Sequence, residues 1–310
     1  MRSISQRWGG VVAAVVAAAF TVTAMYAPAA AAPVGNSRPE GKSVVVLGDS
    51  FTANYPKFFS ATKECLHAPT SWPTRLSERM GLAGTSDFGD VSCSGSTIAT
   101  GDGWWLVHEV AAAVEQQAFG PETEVIAIQS GMNDVWSPTG KMTMISSLRR
   151  CVFNLVDGCG PEAVDQGRFI DYRNLTGELY ADSIRDVVTY MRYYAPNARI
   201  LLVGYPELFP AGQEHVCVNV LGAGQIVQPR GRAVTEYLDR LDAAQRDAAE
   251  LLGLEFVGLR EATAGHGLCS GDPWLNGVFD PAADIAGIPF HPSAHGDAVA
   301  AEVVHERIRR

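Results

Sequence analysis

The sequence predicts an α/β fold: a three-layer α/β/α sandwich around a mostly parallel, five-stranded sheet. Three observations point to it. Five short apolar runs have the pattern of buried strands, stretches of helical periodicity lie between them, and the 310 residues are 47% hydrophobic and only 19% charged. Strands that alternate with helices favour a parallel sheet covered on both faces. The composition also excludes a disordered chain, which would lack the apolar residues needed for a core.

Each predicted strand is bounded by polar residues, Gly or Pro. In chain order the strands are Ser43–Leu47, Phe88–Ser92, Val125–Ser130, Arg199–Gly204 and Leu254–Val257. The predicted helices are Trp72–Met80, Trp104–Phe119, Asn174–Tyr194, Arg232–Leu252 and His295–Arg309. Two stretches break the alternation, residues 135–172 and Pro206–Gly231. We expect both to be loops, either at the rim of a pocket or tied down for stability.

The N-terminus has the pattern of an export signal. Arg2 and Arg7 precede an apolar run rich in Ala and Val over Gly9–Met25, and small residues follow at Ala29–Ala32. A retained membrane anchor is the alternative. It is disfavoured because the run is weakly hydrophobic and ends in small residues rather than in a charged flank.

We therefore expect residues 1–31 to be a signal peptide, residues 32–41 a short linker and residues 42–310 a single domain. No other run approaches the roughly 20 apolar residues that a bilayer span needs. After signal removal we expect a secreted, extracellular monomer with no stable membrane span, either free or associated with the cell wall. The 24 basic and 34 acidic residues give a net charge of −10 without a basic stripe. This balance excludes a nucleic-acid partner.

Six cysteines in an exported chain favour disulfides. Their order along the chain suggests Cys65–Cys93, Cys151–Cys159 and Cys217–Cys269, although six cysteines allow 15 connectivities. A zinc site is the competing interpretation. It is disfavoured because the chain has no Cys-x-x-Cys pair and no cysteine close to a pair of histidines.

Small polar clusters follow the first three predicted strands. The first strand is followed by Gly-Asp-Ser50-Phe, the second by Cys-Ser-Gly95-Ser and the third by Gly-Met-Asn133-Asp. Ligands of open α/β sheets bind beyond the carboxyl ends of the strands, so we expect the clusters to meet. Each alone has an ordinary explanation, namely a helix cap for Ser50, a turn for Gly95 and a strand-end cap for Asn133. Together they predict a site.

A serine hydroxyl is a poor nucleophile until a base accepts its proton. Of the seven histidines, His291 is the best candidate for that base, because it follows the last strand and lies between two prolines that restrict the backbone. The N–H groups of Ser50 and Gly95 and the side-chain amide of Asn133 could stabilise an oxyanion. The sequence thus predicts acyl transfer through a serine.

These residues resemble, in order, the four motif blocks of the SGNH hydrolases, also called GDSL esterases and lipases. The likeness spans about residues 44–295. The segments Val91–Gly95, Leu202–Pro206 and Cys269–Gly277 look like the secreted actinobacterial branch, whose members similarly carry three sequential disulfides. The resemblance implies a flavodoxin-like sheet, the SGNH hydrolase fold.

The resemblance also implies that Ser50 is the nucleophile and His291 the general base and acid. It implies an oxyanion hole made of the Ser50 N–H, the Gly95 N–H and Asn133. Many members place an Asp three residues before the histidine, but here that position is Ile288. We therefore expect the backbone carbonyl of Ile288 to orient the imidazole of His291, with Asp280 and Asp284 as acidic alternatives. His295 receives no catalytic role.

The leading hypothesis is a secreted serine esterase or lipase that acts on lipid esters and needs no cofactor or metal. His291 and His295 would suit a metal only on one helix, and Pro292 lies between them. A carbohydrate acetyl esterase is the alternative, and a non-catalytic surface binding module is disfavoured because Ser50 and His291 are both present. Aromatic residues flank the motif blocks, and they either line an acyl groove or belong to the core: Phe51, Tyr55, Trp104, Trp105 and Trp136.

Overall fold

The computed structural model describes residues 40–55, 65–101, 103–138, 140 and 142–310, except for the side chain of Arg149. The predicted signal peptide and most of the predicted linker lie outside the described residues. No helix in the described ranges combines the length and the apolar composition that a membrane crossing needs.

The five predicted strands are the five strands of a parallel sheet. They are β1 (Val44–Gly48), β2 (Phe88–Asp90), β3 (Val125–Gln129), β4 (Arg199–Val203) and β7 (Glu255–Val257), in the spatial order β2-β1-β3-β4-β7. The register aligns Val44 of β1 with both Phe88 and Val125, so β1, β2 and β3 begin at the same level. The predicted α/β class and sheet are confirmed.

Helices cover both faces of the sheet, because alternate residues of each strand point to opposite sides. In β1, Val45 and Leu47 pack into one core cluster, whereas Val44 and Val46 pack into the other. The first cluster contains residues of α3 (Leu106–Glu115), α6 (Gly177–Tyr194) and α7 (Arg232–Leu252), and the second those of α2 (Trp72–Arg79) and α9 (Ala294–Ile308).

Helix ends follow local capping chemistry. The helix predicted from Asn174 begins at Gly177, because the Thr176 hydroxyl accepts the N–H of Leu179 and caps it. The helix predicted to Phe119 ends at Glu115, since Gln117 takes a left-handed conformation with φ of +55°.

The prediction that Pro206–Gly231 is a loop is wrong for its central part. This segment contains an antiparallel hairpin of β5 (Val216–Val220) and β6 (Gly224–Gln228). The polar and glycine-rich composition masked two β runs that are separated by a tight turn.

The stretch 135–172 also contains helices, α4 (Met144–Val152) and α5 (Glu162–Asp165). Thr143 precedes α4 and forms a capping box with Ser146. The Thr143 hydroxyl accepts the backbone N–H of Ser146, and the Ser146 hydroxyl accepts the backbone N–H of Thr143. Two short helices complete the fold, α1 (Ser50–Ala53) and α8 (Leu259–Ala262).

Three disulfides tie the connections down, and they join the cysteines in the predicted order. They are Cys65–Cys93, Cys151–Cys159 and Cys217–Cys269. His215 lies close to Cys217 and Cys269. The sulfur atoms of these two cysteines are bonded to each other, so they cannot act as thiolate ligands of a metal.

Candidate active site

Ser50 lies at the turn from β1 into α1, at the carboxyl end of the sheet. Asp49 caps this helix, and its carboxylate accepts the N–H of Phe51 at 2.8 Å. The N–H of Asp49 itself donates to the carbonyl of Gln129 at 3.0 Å, which continues the pairing with β3 past the end of the strand. The nucleophile predicted from the sequence thus sits on a turn that is hydrogen-bonded on both sides.

His291 faces Ser50 across the mouth of the sheet. Its Nε2 atom lies 2.8 Å from the Ser50 Oγ, and its Nδ1 atom lies 3.0 Å from the carbonyl oxygen of Pro289. Because a carbonyl can only accept, Nδ1 carries the proton and Nε2 is free to accept the serine proton. The structure therefore brings together the two residues that the sequence selected as base and nucleophile.

The imidazole of His291 is only 3% exposed, and its ring stacks on that of Phe51 at a centroid distance of 4.4 Å. Burial disfavours the charged imidazolium and lowers the pKa of His291 to about 4. The ring is consequently neutral, and able to act as a base, over most of the pH range.

The carbonyl that orients His291 belongs to Pro289, not to Ile288 as expected. The Ile288 carbonyl accepts the backbone N–H of His291 at 3.1 Å, in a turn that commits this oxygen to the main chain. The next carbonyl along the chain then faces the ring. Neither acidic alternative contacts the ring, since Asp284 accepts the N–H of Ala294 and Asp280 accepts the N–H of Ala282.

Two asparagines hold the loop that carries His291. Asn276 donates its backbone N–H to the His291 carbonyl at 2.8 Å, and its side chain donates to the carbonyl of Pro292 at 2.9 Å. Asn54, at the end of α1, donates to the same Pro292 carbonyl at 2.9 Å. Phe290, just before the histidine, has a φ of +70°, a strained conformation for a bulky residue that these bonds maintain.

The predicted oxyanion donors lie on the loops after β2 and β3. Gly95 has a φ of +81°, which glycine tolerates because it lacks a Cβ. Within the described part of the chain, the N–H groups of Ser50 and Gly95 donate to no protein acceptor. Asn133 donates one amide hydrogen to the Ser96 carbonyl at 3.0 Å and keeps its second. All three predicted donors can therefore serve a ligand.

Asp134 clamps these two loops together. Its buried carboxylate accepts the N–H of Ile98 at 2.9 Å and the hydroxyl of Thr100 at 2.9 Å. Burial raises the pKa of this carboxyl. The neighbouring Asn133 is held in position as a result.

Tyr205 is a part of the site to which the sequence analysis gave no role. Its buried hydroxyl donates to the Asp49 carboxylate at 2.6 Å and accepts the N–H of Met132 at 3.0 Å. It therefore joins the turn of Ser50 to the loop of Asn133. The available clue was its position two residues after β4, where a strand end again meets the site.

Glu109 is a second part that the sequence did not indicate. This residue of α3 is buried, and its carboxyl accepts the N–H of Gly48 at 2.7 Å. Burial raises the pKa of this carboxyl well above its usual range. The strand β2 ends at Asp90, level with Val46 of β1, and the Gly48 N–H takes its acceptor from the Glu109 side chain instead of from a strand neighbour.

The flanking aromatic residues divide between core and pocket. Phe51 is buried beneath His291, whereas Trp136 lines a cavity of about 980 Å³ between the loops after β2 and β3 and the start of α6. Tyr55 lines a second cavity of about 600 Å³ beside the His291 loop. Trp104 and Trp105 are half-buried. Phe51 and Trp136 therefore belong to the core, and Trp136 and Tyr55 also border cavities.

Known proteins share both this sequence pattern and this fold. The chain is 27% identical over 288 residues to Lipase 2 of Streptomyces coelicolor, covering 90% of this chain and 88% of that protein. It is 26% identical over 298 residues to an esterase of Streptomyces scabiei, covering 85% of each. Its fold is similar to that of phospholipase A1 from Streptomyces albidoflavus, with a TM-score of 0.58, 19% identity and coverage of 86% and 99% of the two chains.

Residues 46–299 match the GDSL-like lipase/acylhydrolase family. The match covers most of the chain and includes every residue of the candidate site. This protein belongs to the GDSL-like lipase/acylhydrolase family.

Proposed function

We propose that the protein is a secreted serine esterase that cleaves acyl esters of lipids through an acyl-enzyme on Ser50. Carboxylic ester hydrolysis is the chemistry of the family to which the chain belongs. One observation carries the assignment of residues. The His291 Nε2 lies 2.8 Å from the Ser50 Oγ, while the Pro289 carbonyl holds the proton on Nδ1.

The proposed reaction has two halves. In the first, His291 accepts the Ser50 proton as the Oγ attacks the ester carbonyl, and it then gives that proton to the departing alcohol. In the second, His291 takes a proton from water as the water attacks the acyl carbonyl, and it returns this proton to the Ser50 Oγ as the acyl–Oγ bond breaks and the acid leaves. The oxyanion of each tetrahedral intermediate receives hydrogen bonds from Ser50, Gly95 and Asn133, each worth roughly 3–4 kcal/mol of barrier.

A lipid acyl chain is the substrate that the surroundings favour. The larger cavity opens beside the loops that carry the oxyanion donors, and Trp136, Val135 and Leu179 give it apolar walls. The curated relatives named above are a lipase and an esterase. All proposed groups come from one chain, which supports a monomer as the active unit, and three disulfides support export to an oxidising compartment.

The test is hydrolysis of nitrophenyl esters from acetyl to palmitoyl by the purified mature protein. Ser50→Ala and His291→Ala should each lose roughly 10²–10⁴-fold or more in kcat. Asp284→Asn is the matched control and should keep most activity, because Asp284 contacts a backbone amide and not the ring.

Activity that persists in Ser50→Ala would overturn the proposal. An Asp284→Asn variant as impaired as His291→Ala would overturn the assignment of the Pro289 carbonyl. An optimum at acetyl esters would replace a lipid substrate by an acetylated one, such as a carbohydrate ester.

A further inference from the structure

A short loop exposes several apolar side chains to solvent. It follows α4 and is closed by the Cys151–Cys159 disulfide. Phe153 is 45% exposed, Leu155 59% and Val156 77%. We call residues 153–157 the apolar loop. Apolar side chains that are exposed singly are normal, but neighbouring exposed apolar side chains that form one patch mark an interaction site.

The exposure of these side chains follows from a well-bonded backbone. The carbonyl of Asn154 accepts the N–H of Gly158 at 2.8 Å and the side-chain amide of Gln228 at 2.7 Å. The Asn154 side chain accepts the N–H of Asp157 at 3.0 Å. Gln228 itself is fully buried beneath the loop. The backbone of the loop is thus held in place while the side chains of Phe153, Leu155 and Val156 are exposed to solvent.

Three arginines surround the apolar loop. Arg150 is exposed on the last turns of α4, the Arg168 guanidinium donates to the Gly158 carbonyl, and the side chain of Arg230 lies against Gly158. In the described ranges none of the three forms an ion pair with a carboxylate. The loop holds one carboxylate, Asp157, to which the side-chain amide of Asn154 also donates. A second carboxylate, that of Glu162, lies beside Gly160, so three guanidinium groups face two carboxylates and leave a small positive excess on a chain of net charge −10.

The apolar loop belongs to the connection that leaves the carboxyl end of β3. The same connection carries Asn133 and supplies Val135 and Trp136 to the lining of the larger cavity. The apolar loop and part of the candidate site therefore belong to the same stretch of chain between β3 and β4.

We propose that the apolar loop and its three arginines bind the surface of membranes that contain anionic phospholipids. The apolar side chains enter the headgroup region, and the guanidinium groups contact lipid phosphates. If the protein hydrolyses lipid esters, this binding keeps the enzyme at its substrate, and that consequence rests on the proposed function. The binding to the lipid surface itself does not rest on it.

The binding experiment uses the full mature protein with Ser50→Ala, so that no lipid is consumed. Sedimentation with vesicles of phosphatidylcholine and phosphatidylglycerol is compared with sedimentation with phosphatidylcholine alone. Leu155→Asp with Val156→Asp should lower the partition coefficient more than tenfold. Leu251→Asp is the matched control, since Leu251 is 54% exposed at the end of α7, far along the chain from the loop, and it should bind normally.

The charge component has its own comparison. Arg150→Glu with Arg230→Glu should weaken binding to the vesicles that contain phosphatidylglycerol more than to phosphatidylcholine alone, and added salt should reduce this difference. Asp157→Asn should strengthen binding to the anionic vesicles. The proposal would be overturned if Leu155→Asp with Val156→Asp left the partition coefficient unchanged. It would also be overturned if the parent protein sedimented with neither kind of vesicle.

Variants with an intact Ser50 separate this proposal from the proposed function. The Leu155→Asp, Val156→Asp protein should hydrolyse a soluble short-chain nitrophenyl ester like the parent, yet hydrolyse vesicle lipid more slowly. A protein that binds vesicles but hydrolyses no ester would refute the proposed function and would still support binding of the apolar loop to the lipid surface. Size-exclusion chromatography completes the test. A parent dimer that becomes a monomer with Leu155→Asp and Val156→Asp would show that the loop contacts a second copy, and would overturn the proposal.

Discussion

The hydroxyl of Tyr205 is the smallest unit on which the site geometry depends. It bonds Asp49, which precedes Ser50, and Met132, which precedes Asn133. Its ring also meets that of Phe51 edge-on at 5.0 Å. One side chain just after β4 thereby sets the positions of the loops that follow β1 and β3 relative to each other.

Replacement of Tyr205 by Phe should lower kcat about tenfold with little change in KM. The loss corresponds to about 1.4 kcal/mol of transition-state stabilisation, because the ring stays and only the two hydrogen bonds disappear. Steady-state kinetics on a soluble ester measures it. Tyr172→Phe is the control, since the Tyr172 hydroxyl bonds Glu236 at 2.7 Å outside the site. Equal losses in the two variants would refute a positioning role.

The pKa of His291 should appear in the pH profile of kcat/KM, which reports groups of the free enzyme. Because burial lowers this pKa to about 4, the base stays neutral well below pH 6.5. We expect the acid limb near pH 4. Asp49→Asn removes the other titrating group of the Ser50 turn, whose pKa burial raises to about 7, and should leave the acid limb in place. A limb near 6.5 in both proteins would contradict the buried environment of the ring.

At the scale of elements, the turn between β1 and α1 depends on the absence of a side chain at Gly48. A Cβ at this position would lie 2.7 Å from the carbonyl oxygen of Gln129 and would overlap the hydroxyl of Thr52. The strand end of β3 and the first turn of α1 therefore pack directly against the Gly48 backbone.

Gly48→Ala should cost roughly 1–3 kcal/mol of unfolding free energy, the usual range for overpacking. It should also reduce kcat, since the turn that carries Ser50 must shift. Urea denaturation and ester hydrolysis measure the two effects. Gly271→Ala is the control, because a Cβ at Gly271 meets open space and its φ is not positive. A Gly48→Ala protein as stable and active as this control would show that the turn tolerates a side chain.

Elements differed in how well the sequence predicted them. The five core strands were recovered because a strand buried on both faces is a continuous apolar run with polar ends. The β5–β6 hairpin was missed, since Asn219, Gln225 and Gln228 interrupt its apolar pattern. Its packing on α4 and α7 and the Cys217–Cys269 disulfide hold this segment as a hairpin, and none of these contacts is local in the sequence.

At the scale of the whole molecule, buried carboxyl groups surround the site. Burial raises the pKa of Asp49 to about 7, and it also raises the pKa values of Glu109, Asp134 and Asp297. The folded protein therefore holds protons that the unfolded chain releases above about pH 4. His291 contributes to the pH dependence of stability with the opposite sign, because in the unfolded chain its imidazole binds a proton between about pH 4 and 6.5 that the folded protein does not bind.

Four carboxyl groups with raised pKa values contribute more to the pH dependence than one histidine with a lowered pKa. The free energy of unfolding should therefore fall as the pH rises from about 5 to 7. Urea denaturation at both pH values measures this decrease. Asp49→Asn should make the decrease smaller, because it removes one carboxyl that must ionise while buried. Equal or greater stability of the parent at pH 7 would contradict this assignment.

The sequence by itself determined the sheet, most of the helices, the order of the disulfides, and Ser50 and His291 as candidates. The strands, the helices and the two candidate residues depend on patterns within a few residues, namely apolar runs, capping residues and polar residues directly after strands, and the disulfides follow the order of the cysteines along the chain. Only the tertiary structure decided that Pro289 rather than Ile288 orients the imidazole, and that Tyr205 and Glu109 support the site. These contacts join groups far apart in the chain, such as Asp49 and Tyr205 at a separation of 156 residues. Local periodicity carries no information about which distant side chain fills a buried hydrogen-bonding position, because that choice depends on how the layers pack.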